Sequence, residues 1–212
     1  MAKQFSDMPR IKGTGLAALL ACLAATTACS GEAATEGAET QAAPEEASAF
    51  LPAEFEPPVL VEGDGFKLVP LGPELMEIDY QAYMSSIEHL QQTFTRTQAW
   101  PREDLTLEDA VADMANEQTR FAERSSFAYG VLTPDGSREM GSVYIRPSPV
   151  AGYDAAVSFW TTKADYDAGF DAQLYDWVQQ WITQDWPFET VAYPGRAIDW
   201  QSWDAMIAEQ EG

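Results

Sequence analysis

One stretch, residues 152–183, constrains the fold of this 212-residue sequence more than any other. Residues 153–160 alternate between two sets of side chains and are rich in aromatic residues, which predicts a β-strand. A polar connection over residues 161–169 follows, and apolar residues then recur at the spacing of one helix face. Those apolar positions are Phe170, Leu174, Trp177, Val178, Trp181 and Ile182. Backbone N–H groups point outward where a strand leads into a helix, so this junction is a candidate site for an anionic ligand.

The N-terminus has the pattern of an export signal. Basic residues end at Lys12, and an apolar run rich in Leu and Ala covers residues 13–28. A helix needs about 20 apolar residues to span a bilayer, so this shorter run is better suited to be the apolar core of a signal peptide. The sequence Thr26-Thr27-Ala28-Cys29-Ser30 resembles the bacterial lipoprotein signal. That resemblance implies cleavage before Cys29, which would then carry the lipid that anchors the protein to a membrane.

Two alternatives remain open at this end of the chain. Leu19-Leu20-Ala21-Cys22 also matches the letters of the lipoprotein motif, but cleavage there leaves a short apolar run and places Leu23 just after the cut. The apolar run could instead remain as an uncleaved anchor helix or be removed by ordinary signal cleavage. We expect Cys29 to be the lipid attachment site because polar residues follow it directly.

Composition divides the chain into three parts. Residues 1–29 form the lipoprotein signal peptide. Residues 30–58 form an acidic, Ala/Glu-rich flexible tether, because residues 30–49 contain no aromatic residue and no aliphatic residue larger than Ala. Within that tether, residues 50–58 are a proline-punctuated lead-in that we expect to lie along the surface of the domain. Residues 59–212 form the folded domain, which is long enough to bury a core.

Charge and cysteine content exclude several classes of function. The chain has 12 basic and 34 acidic residues, a net charge of −22 at neutral pH. The resulting field repels nucleic acid and anionic lipid headgroups, so neither is expected to be a direct partner. Both cysteines, Cys22 and Cys29, belong to the signal peptide. The folded domain therefore has no thiol for a disulfide, a metal or nucleophilic catalysis.

Other catalytic patterns are sparse. His89 is the single histidine, which excludes a site with several histidine ligands and makes any Ser-His-Asp triad depend on this one ring. By helical position His89 lies beside a buried stripe, as a surface or boundary residue does. The sequence has none of the Walker A, HExxH, GxSxG or EF-hand patterns. We therefore expect no metal site, and the sequence identifies no catalytic residue.

The remaining periodicities predict an α+β domain. Residues 66–70 form a short strand, and a long helix starts near Pro73. That helix buries a stripe at alternating steps of four and three residues: Met76, Tyr80, Tyr83, Ile87, Leu90 and Phe94. Thr106, with Asp109 three residues later, caps a second helix that reaches to about Arg124. The apolar face of the second helix is formed by Leu107, Val111, Met114 and Phe121.

Four further strands and two further helices complete the domain. The strands are predicted over residues 126–132, 139–146, 153–160 and 189–193. A turn at residues 133–136 joins the first two strands as a hairpin. One helix starts at Phe170, and Asp199 caps a short final helix. The order β-α-α-β-β-β-α-β-α, with an antiparallel meander and one helical crossover, indicates a mixed, mostly antiparallel central sheet flanked by helices.

That order, together with several short phrases, resembles the GNAT acyltransferase superfamily over residues 65–203. The phrases are Thr106-Leu107-Glu108-Asp109, Phe127-Ala128-Tyr129, Gly141-Ser142-Val143-Tyr144-Ile145, Trp186-Pro187-Phe188 and Tyr193-Pro194-Gly195. The resemblance implies that acyl-CoA lies across the splayed end of the 153–160 strand. The pantetheine arm would lie along the free backbone of that strand, and the pyrophosphate would meet the following loop. The implied cofactor contacts are Phe159, Trp160, Thr161, Lys163 and Gly169.

The pyrophosphate motif of that superfamily is Gln/Arg-x-x-Gly-x-Gly/Ala, and residues 166–171 occupy the matching window. Only Gly169 fits, because Tyr166 replaces the cationic or amide residue and Asp171 replaces the small residue. Three carboxylates surround the expected phosphate position: Asp165, Asp167 and Asp171. Each like-charge pair at about 4–6 Å costs about 1 kcal/mol. Lys163 is the only cation nearby in the sequence, and Asp171 is expected to cap the following helix.

Aromatic residues suggest a second kind of ligand contact. Trp160, at the end of the central strand, could line a ligand cleft with Tyr144 and Tyr193 and stack on a sugar ring or a peptide. The alternative is that Trp160 packs beneath a helix, as large aromatic residues commonly do.

These observations predict an exported lipoprotein, anchored in the bacterial cell envelope by its N-terminal lipid, with a GNAT-like domain. The phosphate loop is degenerate, and little acetyl-CoA is present outside the cytoplasm. We therefore expect a non-catalytic binding domain without a cofactor. The alternative is an active N-acetyltransferase that uses acetyl-CoA, with Lys163 as its phosphate contact. A purely structural lipoprotein is a third reading, and the sequence identifies no protein or small-molecule ligand.

Overall fold

The computed structural model describes residues 50–211. The expected signal peptide with Cys22 and Cys29, and residues 30–49 of the expected tether, lie outside the described residues. Within residues 50–211, no helix combines the length and the apolar character that a membrane span requires.

The domain is organised around one sheet, which has six strands within the described residues. They are β1 (Val61–Gly63), β2 (Phe66–Pro70), β3 (Phe127–Leu132), β4 (Glu139–Pro147), β5 (Ala155–Thr161) and β6 (Val191–Ala192). The strands lie side by side in chain order, and each neighbouring pair is antiparallel except β5 and β6, which are parallel. The two residues of β6 pair only with Ala155 and Ala156, at the start of β5.

Helices cover both faces of this sheet. They are α1 (Met76–Met84), α2 (Ile87–Thr93), α3 (Leu107–Ala122), α4 (Lys163–Asp167), α5 (Phe170–Asp185) and α6 (Trp200–Glu211). α5 is the helical crossover between the parallel strands β5 and β6, and it packs on one face. α1, α2, α3 and α6 pack on the other face. The predicted α+β architecture with a mostly antiparallel sheet is confirmed.

The face of the sheet beneath α5 holds a continuous apolar core. Alternate residues of the three central strands point toward it, as the period of two predicts. The buried strand residues are Phe127, Tyr129, Val131, Val143, Ile145, Val157 and Phe159. The helix residues packed against them are Phe170, Leu174, Val178, Trp181 and Ile182. Each side chain of this size contributes about 1.5–3 kcal/mol when it is fully buried, so this face holds the sheet and α5 together.

The opposite face is divided into smaller apolar clusters. Trp160 lies beneath α1 and α2 with only 2% of its surface exposed, among Ala82, Tyr83 and Leu90. α3 contributes Met114 to a second cluster. α6 contributes Trp203, which packs with Ala156 of β5. The helices on this face therefore cover the sheet piecewise, and spaces remain between them.

The helix predicted from Pro73 onward is interrupted. A 3₁₀ turn at Pro73–Leu75 leads into α1, and α2 starts only after a break at Ser85 and Ser86. The Ser85 hydroxyl donates to the carbonyl of Ala82 at 2.6 Å, and the Ser86 hydroxyl accepts from the backbone N–H of Lys163 at 2.9 Å. Serine side chains that bond to nearby backbone compete with helical hydrogen bonds, which explains the interruption.

The second predicted helix, α3, is confirmed in position but not in its packing. Thr106 and Asp109 form the predicted capping box. Leu107 and Val111, however, are 48% and 44% exposed, so the predicted apolar face is only partly buried. The buried residues of α3 are Ala110 and Met114.

Two features at the start of the domain differ from the sequence prediction. β1 was not predicted, although Asp64-Gly65 between β1 and β2 is a common hairpin turn and Gly65 has a positive φ of 83°. The lead-in at residues 50–58 does not merely follow the surface. Leu51 is 4% exposed and belongs to the core, and Arg124 donates to the carbonyl of Phe55 at 2.8 Å.

Candidate functional site

β5 and β6 separate at the point where the resemblance places a cofactor. Their pairing stops at Ala156, and beyond it the chain turns at Pro194 and Gly195 instead of continuing as a strand. The gap contains a cavity of about 260 Å³, which we call the strand-end cavity. It is lined by Gln92, Thr93, Phe94, Ser158, Phe159, Trp160, Tyr166, Asp171, Pro194, Gly195, Arg196 and Trp200.

The side chain of Arg196 occupies the mouth of this gap. Its guanidinium lies 4.3 Å from the centre of the Phe159 ring. It donates to both carboxylate oxygens of Asp171, at 2.5 and 2.9 Å. Asp171 also accepts a hydrogen bond from the Thr161 hydroxyl at 3.2 Å. A bidentate arginine–carboxylate pair has fixed geometry, so Arg196, Asp171 and the end of β5 form one connected unit.

Asp171 is therefore not the helix cap that the sequence predicts. α5 begins at Phe170, and its N-cap is Gly169, which has a left-handed φ of 87°. Glycine adopts this conformation without steric cost. The Asp171 side chain is buried and points toward β5 and Arg196 instead of toward the first turn of its own helix.

The connection between β5 and α5 is not an open loop. Residues 163–167 form the short helix α4, and Thr162 caps it by accepting from the N–H of Asp165 at 3.2 Å. The backbone N–H groups of Tyr166, Ala168 and Gly169 donate to carbonyls within the same connection. The N–H of Lys163 donates to Ser86. Because these amides already have partners inside the protein, they do not form a free cradle for phosphate.

The three carboxylates around this connection each have a cation of their own. Asp165 pairs with Arg138 at 2.6 Å, Asp167 pairs with Lys163 at 2.5 Å, and Asp171 pairs with Arg196. Lys163 is the only cation nearby in the sequence, but the fold brings Arg138 and Arg196 to the same group of carboxylates. Arg138 and Arg196 are 27 and 25 residues away from their partners, so local sequence could not reveal them.

His89 lies beside the same connection. Its ring is 4.8 Å from the ring of Tyr166, and the residue is half-buried, at the boundary where its helical position places it. Burial, together with the charge of Lys163, lowers the pKa of His89. His89 therefore lies beside the connection as a mostly neutral ring.

The three residues of the predicted aromatic cleft do not line one cavity, because Trp160 packs beneath α1 and α2, as the alternative predicts. The indole N–H of Trp160 donates to the Tyr144 hydroxyl at 3.3 Å, so these two residues meet. Tyr193 is 8% exposed and packs on the α5 side, with its ring 5.8 Å from that of Tyr175. Tyr193 thus lies apart from the other two. Its neighbour Pro194 reaches the strand-end cavity instead.

A larger groove continues from the strand-end cavity along the opposite face of the sheet. It has a volume of about 490 Å³, and we call it the side groove. Its lining residues are Phe94, Thr95, Thr97, Arg146, Pro147, Pro149, Ala156, Ser158, Pro194, Trp200 and Trp203. Four of these residues also line the strand-end cavity: Phe94, Ser158, Pro194 and Trp200. The two spaces therefore belong to one site.

A pair of buried carboxyl groups lies beneath α1, outside this site. Asp79 and Glu139 are 3% and 1% exposed. Burial raises the pKa of Asp79 to about 7, and burial together with the charge of Asp79 raises the pKa of Glu139 well above its usual range. The Ser142 hydroxyl donates to Glu139 at 2.7 Å. At least one of the two carboxyl groups therefore retains its proton under neutral conditions.

No known family model matches the sequence, and no curated protein matches it. Solved structures do match. A structure described as a probable acetyltransferase has a TM-score of 0.51 at 12% identity, over 63% of this chain and 72% of its own. Ribosomal-protein-S5-alanine acetyltransferase from Vibrio fischeri has a TM-score of 0.47 at 11% identity, over 60% and 68%. A microcin C7 self-immunity acetyltransferase, solved with acetyl-CoA and AMP, has a TM-score of 0.42 at 14% identity, over 56% and 63%.

The neighbour with a TM-score of 0.51 supports the architecture of the domain. The fold is GNAT-like, as the sequence resemblance implies. At such low identity the likeness concerns the fold alone, because one fold hosts many functions. The function has to be argued from the residues of the gap and of the side groove.

Proposed function

We propose that this chain is an exported, lipid-anchored binding protein whose GNAT-fold domain does not use acyl-CoA. The observation that carries the proposal is the Arg196–Asp171 pair in the gap between β5 and β6. In the fold that the domain adopts, this gap is where the sequence resemblance places the pantetheine arm of the cofactor. Here a guanidinium lies over Phe159 and is bonded twice to a buried carboxylate.

Displacing that pair is unfavourable. The side chains of Arg196 and Asp171 are 28% and 10% exposed, so solvent screens their attraction only in part. Separating them leaves Asp171 as a buried and unpaired charge, which is strongly destabilising. An incoming cofactor arm would have to compensate for this loss before it gained any affinity.

A further observation supports the same conclusion. Five amides of the connection, those of residues 163, 165, 166, 168 and 169, donate to groups within the protein. The diphosphate of CoA therefore finds no free donor among these five amides.

Calorimetric titration with acetyl-CoA tests the proposal. We expect no saturable binding up to millimolar acetyl-CoA, and no release of free thiol when amine acceptors are added. Arg196→Ala should open the gap, so any binding that appears in this variant identifies the arginine as the obstacle. Arg138→Ala is the matched control, because it removes the same charge from the neighbouring Asp165 pair. Saturable micromolar binding by the unaltered protein would overturn the proposal.

One observation favours an active acetyltransferase as the second candidate. The pairing of β5 with β6 stops at Ala156, so the free strand edge that a pantetheine arm requires is present. Lys163 would then be the phosphate contact, although its ammonium group already pairs with Asp167. Thiol release in the titration described above is the outcome that supports this candidate.

The proposed anchor has its own test. Cells that express the protein are labelled with an alkyne analogue of palmitate, and Cys29→Ala and Cys22→Ala are compared with the unaltered chain. We expect the label to be lost in Cys29→Ala and retained in Cys22→Ala. The reverse pattern would move the cleavage site to Cys22, and an unlabelled native chain would exclude the lipid anchor.

A further inference from the structure

The side groove lacks acidic residues although the chain is strongly acidic. The chain has 34 acidic residues and a net charge of −22, yet none of the 11 residues that line the groove is Asp or Glu. Arg146 is the single charged residue of the lining. The field of the whole protein repels anions. A groove that carries only a cation is therefore the part of the site where an anionic group fits.

Arg146 is available to such a group. Its guanidinium lies 4.6 Å from the centre of the Tyr144 ring, and the residue is exposed. Among the side chains of residues 50–210 it has no carboxylate partner. A guanidinium presents parallel N–H donors that match the two oxygens of a carboxylate. The free cation at the rim thus fits a carboxylate head.

The remaining wall of the groove is mainly apolar. Seven of its 11 lining residues are apolar: Phe94, Pro147, Pro149, Ala156, Pro194, Trp200 and Trp203. Its volume of about 490 Å³ lies within the range of about 300–1,000 Å³ that small-ligand sites occupy. A ligand that fills it must carry an apolar body, because proline, tryptophan and phenylalanine side chains offer few hydrogen bonds.

The width of the groove is fixed by a second arginine. Arg96 lies on the segment after α2, donates to both oxygens of Asp204 on α6 at 2.7 and 3.2 Å, and lies 4.1 Å from the centre of the Trp200 ring. It therefore joins the two walls of the groove. Its charge is already neutralised by Asp204, which leaves Arg146 as the contact for an anion.

We propose that the side groove binds a small carboxylic acid with an apolar chain or ring, its carboxylate on Arg146 and its apolar part against Phe94, Pro194 and Trp203. This inference rests on the proposed function, because it assigns a ligand to a site that does not hold acyl-CoA. The free acid, not its CoA thioester, is the species that presents a carboxylate to Arg146.

Calorimetric titration with three probes below their micelle concentrations tests the inference. Decanoate represents the chain, 4-phenylbutanoate the ring, and decyltrimethylammonium has an apolar chain with the opposite charge. We expect saturable binding of at least one carboxylate, with one site per chain, and no binding of the cation. Equal or tighter binding of the cation, or no binding of either carboxylate, would overturn the inference.

Variants locate the binding in the groove. Arg146→Gln should weaken carboxylate binding at least tenfold. Arg102→Gln, which removes the same charge from an exposed position, should change it less than twofold. Ser158→Leu, which fills the floor of the groove, should abolish binding while its thermal melt shows that it is folded. Equal effects of the two arginine variants would overturn the inference.

Titration with acetyl-CoA distinguishes a failure of the groove inference from a failure of the proposed function. If neither acetyl-CoA nor a carboxylate binds, only the groove inference fails. If acetyl-CoA binds and the carboxylates do not, both fail.

Discussion

The two faces of the sheet are built from the same strands but differ in what they bury. Beneath α5, the sheet buries a continuous set of aromatic and aliphatic side chains. On the other face, the apolar clusters are small and separate, and Asp79, Glu139 and Ser142 are buried among them. The side groove opens on this second side of β5, near Ser158, and the strand-end cavity lies beside it in the gap between β5 and β6.

We therefore infer that the two faces of the sheet have different roles, one in stability and one in ligand binding. The α5 face gains stability from apolar burial. The opposite face keeps polar groups and open spaces, and each buried polar group costs free energy unless it is paired. We therefore expect ligand binding on the opposite face, which contributes less to the free energy of unfolding than the α5 face. Four predictions test this contrast, from the largest expected effect to the smallest.

Removing apolar volume beneath α5 should have the largest effect. Leu174 is fully buried, so Leu174→Ala should lower the free energy of unfolding by about 4 kcal/mol, as large-to-small core substitutions do. Leu107→Ala is the control, because Leu107 is 48% exposed and should cost less than about 1 kcal/mol. Urea denaturation measures both. Similar costs for the two variants would show that the α5 face is not the main source of stability.

The buried carboxyl pair on the opposite face should make stability depend on pH. The pKa of Asp79 is raised from 3.8 to about 7, first by burial and then by the charges of Asp113 and Glu117. Between pH 4 and pH 7 the unfolded chain releases this proton while the folded chain retains it. Stability should therefore be fully present below about pH 4 and fall by roughly 3 kcal/mol as the pH rises to about 7.

A variant isolates this contribution from the general repulsion among acidic residues. The double variant Asp79→Asn/Glu139→Gln removes both titrating groups, so its unfolding free energy should vary much less between pH 4 and pH 7. Asp104→Asn removes a charge from an exposed position and should keep the slope of the unaltered protein. Urea denaturation across this pH range measures the slope. A slope in the double variant as steep as in the control would contradict a retained proton on the buried pair.

The third prediction concerns the gap between the two faces. Asp171→Ala should lower the free energy of unfolding by about 2 kcal/mol, because it leaves the partly buried Arg196 without a partner. Asp167→Ala is the matched control. Its pair with Lys163 has the same 2.5 Å separation, but the side chains of Lys163 and Asp167 are 53% and 59% exposed. Exposed pairs contribute about 0.2–1 kcal/mol, so the control should lose less than the Asp171 variant. Equal losses would mean that the Asp171 pair is as well solvated as the surface pair.

Sequence patterns predict the α5 face far better than the opposite one. The strand at 153–160 and the helix from Phe170 follow the periods of two and 3.6, because burial on one side selects apolar residues at fixed spacing. The helix break at Ser85 and Ser86 does not follow such a rule. It depends on the N–H of Lys163, 77 residues away, which no local pattern contains.

The position of the candidate site stays a prediction of the resemblance, which places it at the end of β5. Phe159, Trp160 and Asp171 line a cavity there. Arg196 was missed because its partner is 25 residues away. A signal existed: basic residues are scarce in this chain, and Arg196 directly follows the Pro194-Gly195 turn at the expected gap. The α4 helix was missed because Thr162 and Asp165 cap a helix that is too short to show periodicity.

The smallest expected effect concerns α3, which buries few side chains against the opposite face of the sheet. α5 buries six residues and has no side-chain cap, whereas α3 buries only Ala110 and Met114 and carries a full capping box. α3 should therefore depend more on its terminal hydrogen bonds than on packing.

Thr106→Ala removes the side chain that accepts from the N–H of Asp109 and should lower the free energy of unfolding by about 1 kcal/mol. Thr119→Ala, within the same helix, should stay within about 0.5 kcal/mol of the unaltered protein, because its hydroxyl bonds only to the carbonyl of Ala115. Urea denaturation measures both variants, and a cost near zero for Thr106→Ala would mean that packing against α1 holds α3 in place.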